Sequence, residues 1–385
     1  MISSAKRIAI LVVSGVSQLI LLGLSYIVPR NSRLMVYADN NLNSSIYLFR
    51  YACRQKDGYT HVYITPYDEV AKTLKAEGLK VAQHSSIYAY FLAFRAKTYV
   101  VSSSKGQVNN LLSRHANIVN LWHGISVKKI GLLNSRSFLT LDEKRKEYTT
   151  FKLIPSTSPL TQQCFMQAFE KTEIETPIMG EPRNDFLIQN KGQRNSDYLQ
   201  SYLDLDFPCY ELIIGYLPTW RDYGNWDDGI DYNRLNSYLV SRNSILVIKP
   251  HPSDLTYDHL GDMSNIKLIR QGVGWQDAYQ ILVALDVLVT DYSSLAYEYI
   301  LLERPVILYT PDYDVFVKDR ELWIDYEEIA PSEPIRTFDK LLLALDSVTK
   351  GETLPKKYHD VLEKLHSVRD GSSCEKIYAA IKYLP

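Results

Sequence analysis

A two-domain α/β architecture is the fold class this sequence predicts, and three observations carry it. Short apolar runs of strand length alternate with segments whose apolar residues recur near every 3.6 positions, the signature of βα units around a parallel sheet. The chain has 385 residues, more than one domain ordinarily holds, so two domains of roughly 150 to 200 residues are expected. The polar stretch Gln189 to Asp197 interrupts the alternation before a second series of strands begins. The expected division is a hydrophobic membrane-associating segment at 1–32, a first Rossmann-like domain at 33–195 and a second at 196–385.

The first segment carries no charge from Ile8 to Val28, about the length of a bilayer-spanning helix. Ser14, Gly15, Ser17, Gln18, Gly23, Ser25 and Tyr26 dilute it, and basic residues flank both ends, Lys6 and Arg7 before, Arg30 and Arg33 after. Flanking charge therefore sets no orientation. A monotopic or re-entrant anchor is expected, with a buried first helix as the alternative.

In the first domain Leu34–Tyr37, His61–Ile64, Thr98–Val101 and Ile118–Leu121 read as buried strands. Ile46–Cys53, Asp68–Glu77, Ser85–Arg95 and Gln107–Ser113 read as the helices between them. In the second, strands are expected at Leu212–Ile214, Ile245–Ile248, Ile266–Ile269, Val287–Val289 and Val306–Tyr309. Parallel sheets of this kind bind ligands beyond the carboxyl ends of their strands. The polar motifs of the chain fall at that position.

Composition narrows the function. A formal net charge of -1 with 23% charged residues gives no global case for nucleic acid, so an anion site must be local. The four cysteines show no CxxC spacing, which argues against a disulfide framework or a zinc site. Asp227 and Asp228 are adjacent, but no second carboxylate-rich motif supports a metal, and none is expected.

Individual motifs carry chemistry. His123, in Trp122-His123-Gly124-Ile125-Ser126-Val127-Lys128-Lys129, is delivered by an apolar run into a loop of Gly and Lys. It reads as a catalytic base or as a satisfied loop histidine. Gly124 would permit close substrate approach, and Lys128 and Lys129 add charge for a phosphorylated ligand. Thr290-Asp291-Tyr292-Ser293-Ser294 follows a strand and opens a helix, so its N–H groups and hydroxyls suit a phosphate, or Ser294 simply caps the helix. Glu298, one turn on, is a candidate for the ribose of such a ligand or an exposed helical residue. His251 lies between Pro250 and Pro252 and just after Lys249, rigidly held as a pyrophosphate contact would be. Arg221, in Pro218-Thr219-Trp220-Arg221-Asp222, could clamp phosphate oxygens or pair with Asp222. Arg183, in Gly180-Glu181-Pro182-Arg183-Asn184-Asp185, ends the last strand of the first domain and would face the cleft.

Taken in order, WHGISVKKIG, GEPRND, PTWRD, IKPHP and TDYSS resemble the CDP-glycerol glycerophosphotransferase family of teichoic acid and capsule polymer synthesis, from about Leu34 to Asp314. The resemblance implies a glycosyltransferase-B-like (GT-B-like) fold of two facing Rossmann-like domains, the first for the acceptor and the second for the donor. It implies transfer of an alditol phosphate from a CDP-alditol to a hydroxyl of a lipid-linked or polymeric glycan acceptor, with release of CMP. The enzyme would work without a cofactor or metal, at the cytoplasmic face of the membrane. His123 and His251 are implied as catalytic; Arg221, Lys249, His251, Ser293 and Ser294 as holding the donor, with Glu298 the candidate at its ribose. Ile125-Ser126-Val127 stands where the family often has Thr-Pro-Leu, and Glu181 where an aromatic is frequent. A nucleotide-sugar-dependent glycosyltransferase or epimerase on the same fold is the alternative, and a noncatalytic scaffold a third.

Overall fold

The computed structural model describes residues 20, 22–23, 29–39, 44–221, 227–250, 257–260, 263–269, 277–319, 321–351 and 353–385. Most of the expected anchor, Asp222 and His251 lie outside the described residues. Among those described, no helix is long and apolar enough to cross a membrane.

Two parallel sheets organise the molecule. The first contains β1 (Asn31–Ala38), β2 (Thr60–Thr65), β3 (Val81–Gln83), β4 (Ala96–Val101), β5 (Asn117–Asn120) and β6 (Phe151–Leu153), in the order β3-β2-β1-β4-β5-β6. The second contains β7 (Leu212–Leu217), β8 (Ser244–Ile248), β9 (Ile266–Leu268), β10 (Val287–Thr290) and β11 (Val306–Leu308), in the order β11-β10-β7-β8-β9. All the strand pairs are parallel. Each sheet grows outward in both directions from its first strand, so each has a switch point, β1/β4 in one and β7/β10 in the other, where a cleft opens beyond the strand ends.

Helices cover both faces, which is why the central strands read as apolar runs. In the first half these include α1 (Ser44–Arg54), α2 (Asp68–Ala76), α3 (Ile87–Arg95), α4 (Leu141–Tyr148), α5 (Pro159–Phe169) and α6 (Pro182–Gln189). In the second they include α7 (Asp197–Leu203), α8 (Tyr232–Ser241), α9 (Ala278–Leu282), α10 (Leu295–Tyr299), α11 (Tyr313–Asp319), α12 (Tyr326–Ile329), α13 (Phe338–Thr349) and α14 (Lys356–Leu365). In β7 a Cβ on Gly215 would lie 2.2 Å from Leu285 Cδ1, so only glycine lets this central strand pass so close to its cover.

Three expectations differ from what is seen. Gln107–Ser113 is not a helix but a short 3₁₀ turn, Lys105–Gln107, followed by further turns. Asn109 Oδ1 accepts the N–H groups of Leu111 and Leu112, and this side-chain bonding competes with a helical ladder. Glu181 does not end a strand of the sheet; the segment before it makes one isolated bridge, Ser156 to Ile178. The last helix, α15 (Ser373–Lys382), was assigned to the second domain, yet it packs Ile377, Tyr378 and Ile381 into the same apolar cluster as Met35, Tyr37 and Phe49 of the first. Tyr378 OH donates to Asp57, and Ser373 and Cys374 donate their N–H groups to the carboxylate of Asp185.

Candidate active site

β5 ends at Asn120 and releases the chain into the histidine loop. Asn120 itself shapes the turn: its Oδ1 accepts from Trp122 N–H at 3.0 Å and its Nδ2 donates to the Ser103 carbonyl at 3.0 Å. Trp122 is thereby held at φ 58°, a conformation a bulky L-residue adopts only when its surroundings impose it. Its indole stacks on the His123 ring, centroids 4.2 Å apart, and packs edge-on against Phe169.

His123 Nδ1 lies 3.0 Å from the Ser102 carbonyl at the end of β4. A carbonyl oxygen only accepts, so Nδ1 carries the proton and Nε2 keeps its lone pair. The ring is open on its cleft side while protein closes around the rest. That burial lowers its pKa; the bond to Ser102 offsets part of the effect and the nearby Arg183 charge adds to it. The imidazole is thus a neutral base near physiological pH.

It faces a cleft of about 660 Å³ between the two halves. Lys128 and Lys129 line this cleft from the first half, Lys249, Ser293 and Ser294 from the second. Lys128 Nζ sits 5.4 Å from the Phe316 ring centroid, and Lys129 N–H donates to the Glu321 carbonyl, so the basic loop is fastened to the far half. Burial lowers the pKa of Lys249. Ser293 Oγ accepts from Leu295 N–H at 3.3 Å, whereas the Ser294 side chain caps nothing in its helix.

Three other expected ligand contacts stand behind the cleft wall. Arg221 is 6% exposed: Nη2 lies 2.8 Å from Asp291 Oδ2, Nε donates to Asp312 Oδ2 at 2.7 Å, and Nη1 donates to the Thr219 carbonyl. Its plane also covers Tyr292, which stacks on Phe316 at 3.6 Å. Asp291 in turn accepts from Thr219 N–H at 3.0 Å. The guanidinium therefore knits the loops after β7, β10 and β11 together, and the expected clamp on phosphate does not match this position. Arg183 is 2% exposed and Glu298 0%, joined at 2.5 Å. Arg183 Nε is also 2.8 Å from Glu181, which accepts from Ser44 Oγ at 2.6 Å, while Tyr279 OH donates to the second oxygen of Glu298. Desolvation raises the Glu298 pKa to about 7, against the pull of Arg183. Neither reaches the cleft, so the ribose contact expected of Glu298 and the substrate contact expected of Arg183 are not where this structure puts them.

Gly124 has a structural reason beyond substrate approach. At φ 120° it lies so close to the seam of the two halves that a Cβ would sit 2.7 Å from Arg183 Nη2 of the first, and 2.8 Å from Glu298 Oε1 and 3.1 Å from Ser294 Oγ of the second. Asp312 and Tyr279 were missed from sequence. Asp312 follows the end of β11, the strand-end position that marked the other motifs; nothing local distinguished Tyr279.

The sequence pattern of the CDP-Glycerol:Poly(glycerophosphate) glycerophosphotransferase family matches residues 22–383. A teichoic acid poly(glycerol phosphate) polymerase of Bacillus spizizenii is 26% identical over 91% of this chain and 92% of its own length. That of Bacillus subtilis is also 26% identical, over 82% of this chain but only 42% of its own length, so this chain spans less than half of that relative. A structure of the wall teichoic acid polymerase TagF superposes with a TM-score of 0.77 at 18% identity, over 98% of this chain and 97% of the other, which shows the shared fold. With the motif order, the two-sheet architecture and a match over nearly its whole length, the chain belongs to the CDP-glycerol:poly(glycerophosphate) glycerophosphotransferase family.

Proposed function

We propose that this chain transfers glycerol phosphate from CDP-glycerol to a hydroxyl of a lipid-linked or polymeric acceptor in teichoic acid or capsular polymer synthesis. The observation that carries the reading is a tautomerically fixed histidine facing a cleft that also holds the lysines and serines of the donor motifs.

The acceptor oxygen attacks the phosphorus that bears glycerol. A new P–O bond forms, the bond from that phosphorus to the CMP oxygen breaks, and CMP leaves with the bonding electrons. The acceptor proton passes to His123 Nε2, a step worth typically about 10² to 10⁴ in rate. Lys249, Lys128 and Lys129 neutralise charge, and the hydroxyls of Ser293 and Ser294 hold the donor phosphates. His251, two residues after Lys249 in the chain, is assigned to the donor pyrophosphate on the motif resemblance alone. The uncharged Ile8–Val28 stretch supports peripheral association with the membrane face where CDP donors reside.

The test is CMP release by the full chain from CDP-glycerol, CDP-ribitol and nucleotide sugars, with and without membrane-extracted lipid acceptor. Acceptor-dependent release from CDP-glycerol is expected. Turnover of a nucleotide sugar alone would replace the proposal with the glycosyltransferase or epimerase reading.

A further inference from the structure

Three motifs meet at one buried ion pair. Arg183 opens α6 on the side of the first half; Glu298 lies in α10 of the second; Gly124, the residue after His123, rests its backbone on both. The Tyr279 ring lies under the guanidinium at 5.0 Å and its hydroxyl holds the carboxylate, while Glu181 takes the other edge of Arg183. Both carboxylate oxygens of Glu298 and two edges of the guanidinium face protein groups, and the contact surface against Gly124 has no room for a methyl group. Ser294 Oγ lies beside the same spot.

Ion pairs this deep seldom add net stability, because removing two charges from water offsets their attraction. What such a pair does supply is a fixed geometry. We infer that Arg183 and Glu298 are positioning residues: their pair is the gauge block between the halves that sets the distance from the His123 loop to the serine loop of the donor side. The inference rests on the proposed transfer reaction for its catalytic consequence. Misplacement of a reacting group by about 1 Å can cost about 10²-fold in rate, so a spacer that neither touches substrate nor takes a proton can still govern turnover.

Removing one partner strands the other charge, and such a variant can fail to fold for that reason alone. The decisive variants therefore neutralise both: Arg183→Gln with Glu298→Gln, and, as a second pair, Arg183→Met with Glu298→Met. Each is assayed for thermal unfolding, for KM and kcat with CDP-glycerol, and for the distance between spin labels at Lys75→Cys and Lys340→Cys, exposed sites on opposite halves, with Cys53 and Cys209 replaced by Ser. The expected result is a folded protein whose KM stays within about threefold, whose kcat falls about tenfold or more, and whose label distances broaden. A folded double variant with wild-type kcat and an unchanged distance distribution overturns the inference. So does failure of both pairs to fold, since the pair would then be holding the fold together and not spacing two folded halves. Should the wild-type chain release no CMP from CDP-glycerol, the proposed reaction falls, and the label distances alone decide whether the pair spaces the halves.

Discussion

The wall of the cleft and the charged layer directly behind it are built from the same motifs, yet they obey different physics. On the wall, His123, Lys249, Ser293 and Ser294 present polar atoms to a space that water or substrate can fill. Behind it, Arg221 faces Asp291 and Asp312, and Arg183 faces Glu298 and Glu181, buried away from that space. A cation beside a phosphate-binding loop is thus not by that fact a phosphate ligand; its exposure decides. In the proposed reaction the wall does the chemistry, and the layer keeps the wall in register.

The largest expected effect is in the layer. Arg221→Ala leaves two buried carboxylates without their partner, and breaking a buried pair this way costs about 3–5 kcal/mol; urea unfolding should show the loss, and a variant as stable as wild type would erase the distinction. His123→Ala should do the opposite, lowering kcat about 10² to 10⁴-fold with the unfolding midpoint unmoved. Full activity there would remove the base from the mechanism. Replacing Ser293 and Ser294 together by Ala should weaken CDP-glycerol binding, measured by calorimetry, by about tenfold, the order expected for one or two lost hydrogen bonds to a charged group, again with stability kept.

A smaller, diagnostic effect concerns pH. Because burial lowers the His123 pKa, the free-enzyme profile of kcat/KM should fall only below the ordinary histidine value of about 6.5. Between the lowered pKa and 6.5 the unfolded chain binds the proton that the folded one refuses, so this group makes stability rise as pH rises through that window. The smallest expected effect is none: EDTA should leave CMP release within about twofold, since lysines and hydroxyls are assigned the work a metal would do.

Much of the fold was legible in the chain because the central strands are covered on both faces, which writes them as uninterrupted apolar runs. β3 and β6 were not: three residues each, with the middle or end positions partly exposed, they carry no such run. The loop positions of the site were legible for the same reason as the strands that end in them. Burial of the charged residues was not, because it depends on loops that meet only in space. Arg221 and Asp312 are 91 residues apart, Arg183 and Glu298 115. Local pattern reports that a residue follows a strand; it does not report what another strand's loop places on top of it.

The return of the last helix to the first half has a mechanical meaning. The chain crosses between the halves twice, once after α6 and once between α14 and α15, and the two crossings are stitched side by side: Asp185 holds the N–H groups of Ser373 and Cys374, and Gly180 admits the Ser373 hydroxyl where a methyl group would collide. Two objects joined by a single thread can swivel and twist freely. Joined along a short seam, and tied again where Lys129 N–H meets the Glu321 carbonyl, they are held against that twist like two pages bound at the spine and clipped at the edge.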